Sequence, residues 1–167
     1  MLLSVRSGSS ISQPGMLDTL LNVGNNQSVT AGIAAGTGNA WFAWDNYRRF
    51  LQSYGMLHEL TRDAFDAVIA EHKRRLGIPL KRLFSGEQMQ RVALDYQRLI
   101  QDAGIAMIED PHDQLTFAIR TVLASWESPK ACAYRRIMGI SDDWGTAVAI
   151  QAMVYGNLSP TSGTGVI

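Results

Sequence analysis

The chain has one cysteine, Cys132, so no internal disulfide can hold it together. It has no apolar run near the ~18 residues that a membrane-spanning helix needs, and no membrane partner is expected. It has no net charge, because 15 basic and 15 acidic residues cancel. Without a long-range field, nucleic acid is not an expected partner either. Internal repeats and low-complexity tracts are missing. Met1-Leu2-Leu3 runs at once into Ser4 and Arg6 and is not the core of a signal peptide, which together with the lone cysteine fits a cytoplasmic setting. No Gly-Lys-Ser/Thr phosphate-loop ending occurs. His58, His72 and His112 lie too far apart for a metal-ligand pattern, so no metal site is expected.

What is there suits one domain or two small lobes: 167 residues, 46% hydrophobic and 18% charged. Residues 1–38 are rich in Gly, Ser and Asn and read as a strand (Leu2 to Val5), a loop, a short helix around Met16 to Val23, and a second small helix from Ser28 to about Ala35. Residues 39–140 carry helical periodicity. Asn39 opens a helix with Phe42, Ala43, Tyr47, Phe50, Leu51 and Tyr54 on one face, and Gly55 is expected to end it. Thr61 opens another through Leu76, stopped by Gly77 and Pro79. Ser85 and Gln88 have capping-box spacing ahead of Met89, Val92, Tyr96 and Leu99. Asp110-Pro111 starts a helix predicted to carry Leu115, Ile119, Val122 and Trp126, and Ser128-Pro129 starts one ending near Gly139. Residues 141–167 change period again. Thr146 to Tyr155 is apolar on both faces and predicts a buried strand, and Thr164 to Ile167 is expected to begin a return strand, as though the sheet continued. The expected fold is α+β, mainly helical: a helical insertion subdomain of about five helices, flanked by two β-containing pieces.

Three small-residue loops could handle phosphate. Ser4-Val5-Arg6-Ser7-Gly8 puts an arginine at a strand end, where its guanidinium fork can hold two phosphate oxygens. Pro14-Gly15-Met16-Leu17-Asp18-Thr19 is a tight turn before an expected helix start, whose N–H groups favour an anion. Ser162-Gly163-Thr164-Gly165 is a loop expected to join two strands. Taken singly, each is better explained as an ordinary turn. The basic runs His72-Lys73-Arg74-Arg75, Lys81-Arg82 and Arg135-Arg136 are explained by helix C-terminal dipoles, and Trp41, Phe42, Trp44 and Tyr47 by core packing.

Taken together, SVRSGSSISQPGMLDTLLNVG, AWDNYRRFLQSYG, SWESPKACAYRRIMGISDDWGTAVAIQAMVYGN and SGTGV resemble pyruvate, phosphate dikinase, in that family's order and across essentially the whole chain. The resemblance implies a piece of an ATP-grasp-type ATP/AMP-binding domain. The implied enzyme is a phosphotransferase that converts ATP, phosphate and pyruvate into AMP, diphosphate and phosphoenolpyruvate, with Mg2+, by way of a phosphohistidine on a separate domain of the same protein. It implies that Arg6 contacts the nucleotide phosphates and is catalytic, and that Gly15, Met16, Leu17, Asp18 and Thr19 form the phosphate loop. Gln151, Met153 and Val154 then lie on the strand passing the adenine, whose backbone groups could read the base edge. Gln13 and Leu17 stand where the family commonly has methionine. The family's glycine-lysine segment, its magnesium-binding acids and its phosphohistidine motif have no counterpart here, so the chain alone is expected to bind nucleotide weakly or not at all, and not to turn over. Unfinished sheet edges also suggest self-association. The competing readings are a helical protein-interaction module and a remnant without activity.

Overall fold

A computed structural model describes residues 1–159 and 161–165. The elements run β1 (Leu3–Gly8), β2 (Thr19–Val23), α1 (Gln27–Thr37), α2 (Ala40–Leu57), α3 (Arg62–Leu76), α4 (Gly86–Asp102), α5 (Pro111–Ala124), α6 (Pro129–Met138) and β3 (Ala147–Ala152), with 3-10 turns at Lys81–Leu83 and Ser125–Glu127. The fold is therefore α+β and mainly helical. The chain divides into two compact units, Met1–Gly24 with Asp110–Met153, and Asn25–Glu109 with Val154–Ile167. The unit with the sheet thus includes α5 and α6, which periodicity alone groups with the other helices.

Most helix ends follow local chemistry. The Asn39 side chain accepts from the Phe42 N–H at 3.0 Å, and Thr61 does the same for Ala64. Ser85 and Gln88 close a reciprocal capping box. Asp110 caps α5 ahead of Pro111, and Ser128 caps α6 ahead of Pro129. Gly77 (φ 64°) and Gly139 (φ 66°) end α3 and α6 in the left-handed conformation that glycine adopts without penalty.

Several expectations are corrected. Gly55 does not end α2, which continues to Leu57. Its missing side chain serves packing instead: a Cβ there would sit 2.6 Å from Phe65 Cζ and 3.2 Å from an Ile100 carbon. The expected helix around Met16 to Val23 is strand β2, since five apolar-rich residues are too few for periodicity to tell helix from strand. Trp126 lies in the 3-10 turn after α5, not on the helix. β3 is shorter than Thr146 to Tyr155 and is not a buried strand: it lies at one edge of the sheet and every one of its residues is exposed or half-buried. Thr164 and Gly165 form no strand, and Val166 and Ile167 lie outside the described residues. Arg135 is fully buried, not a solvated last-turn cation. It donates to the Asp142 carboxylate at 2.8 Å and to the Trp126 carbonyl at 2.5 Å, and stacks on the Trp126 ring.

In the sheet unit, β1 is the central strand and pairs antiparallel with β2 and β3. Val5 lies opposite Leu20 and Ile150; Val5 and Leu20 are buried with Ala118 and Val122 of α5, whereas Ile150 is exposed. Gln114 of α5 accepts the Gly24 N–H at 2.9 Å where the chain leaves the unit.

The helical unit is built on α2 and α4. Phe42, Tyr47, Leu51, Phe65, Met89, Val92, Tyr96 and Ile100 fill it, with the Phe65 and Tyr96 rings 4.8 Å apart. His72 is buried and meets Asp95 at 2.8 Å, joining α3 to α4. Within this core Asp45 is 0% exposed. Its carboxylate accepts from Arg48 Nε, Arg49 Nε and Lys81 Nζ, each at 2.8 Å. Burial alone would raise the Asp45 pKa, but Arg48, Lys81 and Arg49 together outweigh it and bring the value down to about 2.

A folded pKa below the ordinary 3.8 means that Asp45 stabilises the fold above about pH 4 and that this contribution is lost as pH falls towards 2. The shift corresponds to about 2 kcal/mol. Asp45→Asn is expected to lower stability at pH 7 by about 3–5 kcal/mol, because buried Arg48 loses its counter-charge. Urea unfolding should show a shallower fall between pH 4 and pH 2 in the variant than in the wild type; parallel profiles would contradict this role for Asp45.

Candidate functional site: an arginine and a glycine turn on the sheet

Opposite residues in an antiparallel sheet project from the same face. Arg6 on β1 lies opposite Thr19 on β2 and Ala149 on β3, and Ser4 lies opposite Gln151. Arg6, Thr19 and Gln151 therefore share a face, the one opposite Val5 and Leu20, and all three are exposed. Arg6 Nη2 donates to Gln151 Oε1 at 2.6 Å. That diagonal bond uses one nitrogen of the guanidinium and directs the fork over the sheet. The pairing thus joins two residues 145 positions apart in the chain.

The loop between β1 and β2 is organised by a turn at Gln13-Pro14-Gly15-Met16, closed by the Met16 N–H to the Gln13 carbonyl at 3.1 Å. Proline followed by a residue with positive φ is the pattern of a type II turn, and Gly15 has φ 71°. A Cβ at Gly15 would meet nothing within 4 Å, so conformation, not crowding, requires glycine there. No helix follows, because the chain enters β2 at Thr19. A phosphate held by this loop would meet turn N–H groups and not a helix dipole.

Two of the expected contacts are already in use. The Asp18 N–H donates to Ser125 Oγ at 3.1 Å, and the Asp18 carboxylate is 3.2 Å from Lys130 Nζ. Met153 donates its N–H to the Leu2 carbonyl at 2.9 Å, which extends the β1–β3 pairing and removes that group as a reader of a base edge. Val154 is exposed and belongs to the helical unit. Met16 and Leu17 are half-buried in the loop. Ser125 and Lys130 had no sequence signal, since both lie more than 100 positions from Asp18 and look like ordinary residues at a helix start.

The described residues contain no group of three or more His, Cys, Asp and Glu side chains able to hold a metal ion. Asp18, the acid of the loop, is engaged by Lys130. With its one acid paired to Lys130, the loop of residues 9–18 offers magnesium no free carboxylate. The residues present do fit an anion, through the Arg6 guanidinium and the turn N–H groups.

Gln13 has an unusual position. It is 8% exposed, and neither atom of its carboxamide has a hydrogen-bond partner among the described residues. A buried amide without partners costs about 1–3 kcal/mol. Gln13→Met, which installs the residue common in the family this sequence resembles, is expected to raise stability by about that amount. Chemical denaturation measures this, and a destabilised Gln13→Met variant would show that the carboxamide is in fact satisfied.

Comparison with known proteins bears on the family. The family described as pyruvate phosphate dikinase, AMP/ATP-binding domain, matches residues 1–167. The chain is 44% identical over 168 residues to the pyruvate, phosphate dikinase of Rickettsia typhi, covering 100% of this chain and 19% of the relative. It is 46% identical over 169 residues to that of Rhizobium meliloti and 41% identical over 169 residues to that of Clostridium symbiosum, covering 99% of this chain and 19% of the relative in each case. The chain thus spans about a fifth of the length of these relatives. On both grounds, whole-length sequence similarity and the family match, this chain belongs to the pyruvate phosphate dikinase AMP/ATP-binding domain family.

Proposed function

We propose that the exposed sheet face carrying Arg6, with the Gly15 turn beside it in sequence, receives the phosphates of ATP or AMP. The observation that carries this reading is the place of Arg6: central strand, exposed face, Thr19 opposite, and one guanidinium nitrogen tied to Gln151. An arginine held on one side keeps its remaining donors in a fixed fork, so less conformational freedom is lost when a phosphate binds. Thr19 adds a hydroxyl, and the turn at Gly15 adds backbone N–H groups. The membership of the family supports nucleotide as the anion. The parts assigned to Gly15, Met16, Leu17 and Thr19 are to cradle phosphate. Gln151, Met153 and Val154 belong to the stretch proposed to lie along the base, with Gln151 contributing its side chain to Arg6.

In the wider reading, the domain serves a dikinase that converts ATP, phosphate and pyruvate into AMP, diphosphate and phosphoenolpyruvate through a phosphohistidine. Magnesium would supply charge neutralisation at the migrating phosphoryl group, and no step of it is assigned to residues of this chain. What Arg6 does is bind and orient: it offsets phosphate charge as that charge shifts, the general task of cations in phosphoryl transfer.

Arg6→Ala, introduced into a full-length dikinase carrying this domain, should weaken nucleotide binding roughly 10- to 100-fold, the effect of losing hydrogen bonds to a charged group worth about 1.5–3 kcal/mol. It should also block transfer of label from ATP to the phosphohistidine. Arg6→Lys should recover part of the binding but not the bidentate geometry. Unchanged histidine labelling in Arg6→Ala would overturn the role given to Arg6.

A further inference from the structure

The Gly15 turn sits in a loop with few polar ties to the rest of the chain. Among the described residues, both polar ties from residues 9–18 to another element start from Asp18. The first is its N–H to Ser125 Oγ at 3.1 Å. The second is its carboxylate to Lys130 Nζ at 3.2 Å. Ser125 is itself buried, and its hydroxyl donates to the Val122 carbonyl at 2.7 Å, so its lone pair is aimed at Asp18 by a bond to the end of α5. Lys130 lies in the first turn of α6 and is half-exposed. Two neighbouring helical elements thus grip the same residue, one by its backbone and one by its side chain. Asp18 immediately precedes Thr19, which lies opposite Arg6. Whatever fixes Asp18 fixes both the exit of the glycine turn and the place of Thr19 beside Arg6.

We infer that Ser125 and Lys130 are positioning residues of the nucleotide site, acting through Asp18 to hold the loop of residues 13–18 in its receiving shape; this rests on the proposed nucleotide role of that loop. Neither residue touches the nucleotide. The Lys130–Asp18 pair is partly exposed and so of modest strength alone, whereas the Ser125 bond is shielded. Together they replace loop entropy that would otherwise be lost on binding.

The test is amide hydrogen exchange on a full-length dikinase carrying this domain, with and without AMP, for wild type, Lys130→Met, Lys130→Arg and Ser125→Ala. Without AMP, exchange at residues 13–18 should rise several-fold in Lys130→Met and more strongly in Ser125→Ala, while β1 amides stay protected; Lys130→Arg should restore wild-type exchange. In an AMP titration, the midpoint for protecting residues 13–19 should move several-fold upward in Lys130→Met and return with Lys130→Arg, at an unchanged unfolding midpoint. Wild-type exchange at residues 13–18 in Lys130→Met overturns the inference, whether or not Ser125→Ala folds. A loosened loop with an unmoved AMP midpoint overturns it too. A wild-type enzyme in which millimolar AMP protects nothing in this domain overturns the nucleotide reading instead, a result separate from the exchange seen without AMP.

Discussion

Strand β1 has a neighbour on each side, and the pairing with β3 is the contact on which the sheet unit depends. Leu3–Gly8 meets Ala147–Ala152 residue for residue, across nearly the whole length of the chain. Closing a loop of that length costs on the order of 4 kcal/mol in chain entropy alone. The return comes from six paired positions, from Val5 and Leu20 buried with α5, and from the Met153 N–H to the Leu2 carbonyl. Because side chains alternate across a strand, this register also decides chemistry. A slip of one residue would turn Arg6 into the core and Val5 out to solvent. The same pairing sets Gln151 within 2.6 Å of the Arg6 guanidinium.

The helical unit is held differently. Its core is aromatic and aliphatic, yet it contains a carboxylate that meets no solvent. Asp45 is tolerated there because three cations surround it, and their field outweighs the desolvation that would otherwise protonate it. Arg48 in turn passes near the Tyr96 ring and donates to Gln52. The network links α2 with the 3-10 turn at Lys81, so charge, not only apolar area, specifies where that turn sits.

Local sequence chemistry was sufficient for most helices. Asn39, Thr61, Ser85, Asp110 and Ser128 cap the helices they were expected to cap, because a cap is made within three residues. Features made by distant partners were not legible. Gly55 looks like a helix stop in one dimension; in three it is the place where Phe65 and Ile100 approach α2. Thr19–Val23 has no period that separates strand from helix until β1 lies beside it. Arg135 looks like a last-turn cation until Trp126 and Asp142 close over it. For the site, the motifs pointed to Arg6 and the Gly15 loop, but no spacing rule could disclose that Asp18 is engaged by Ser125 and Lys130. The mutual placement of Arg6, Thr19 and Gln151 is likewise a property of sheet register.

The central claim is that one sheet face and the loop leading into it form the phosphate-receiving surface. The most direct measurement is a backbone amide NMR titration with AMP of this chain extended by the rest of its nucleotide-binding domain, read residue by residue. The account predicts shifts concentrated at Arg6, at residues 15–19 and at Gln151, with little change at Val5 or Leu20 on the covered face. Shifts confined to the helical unit, or spread evenly over the chain, would contradict it.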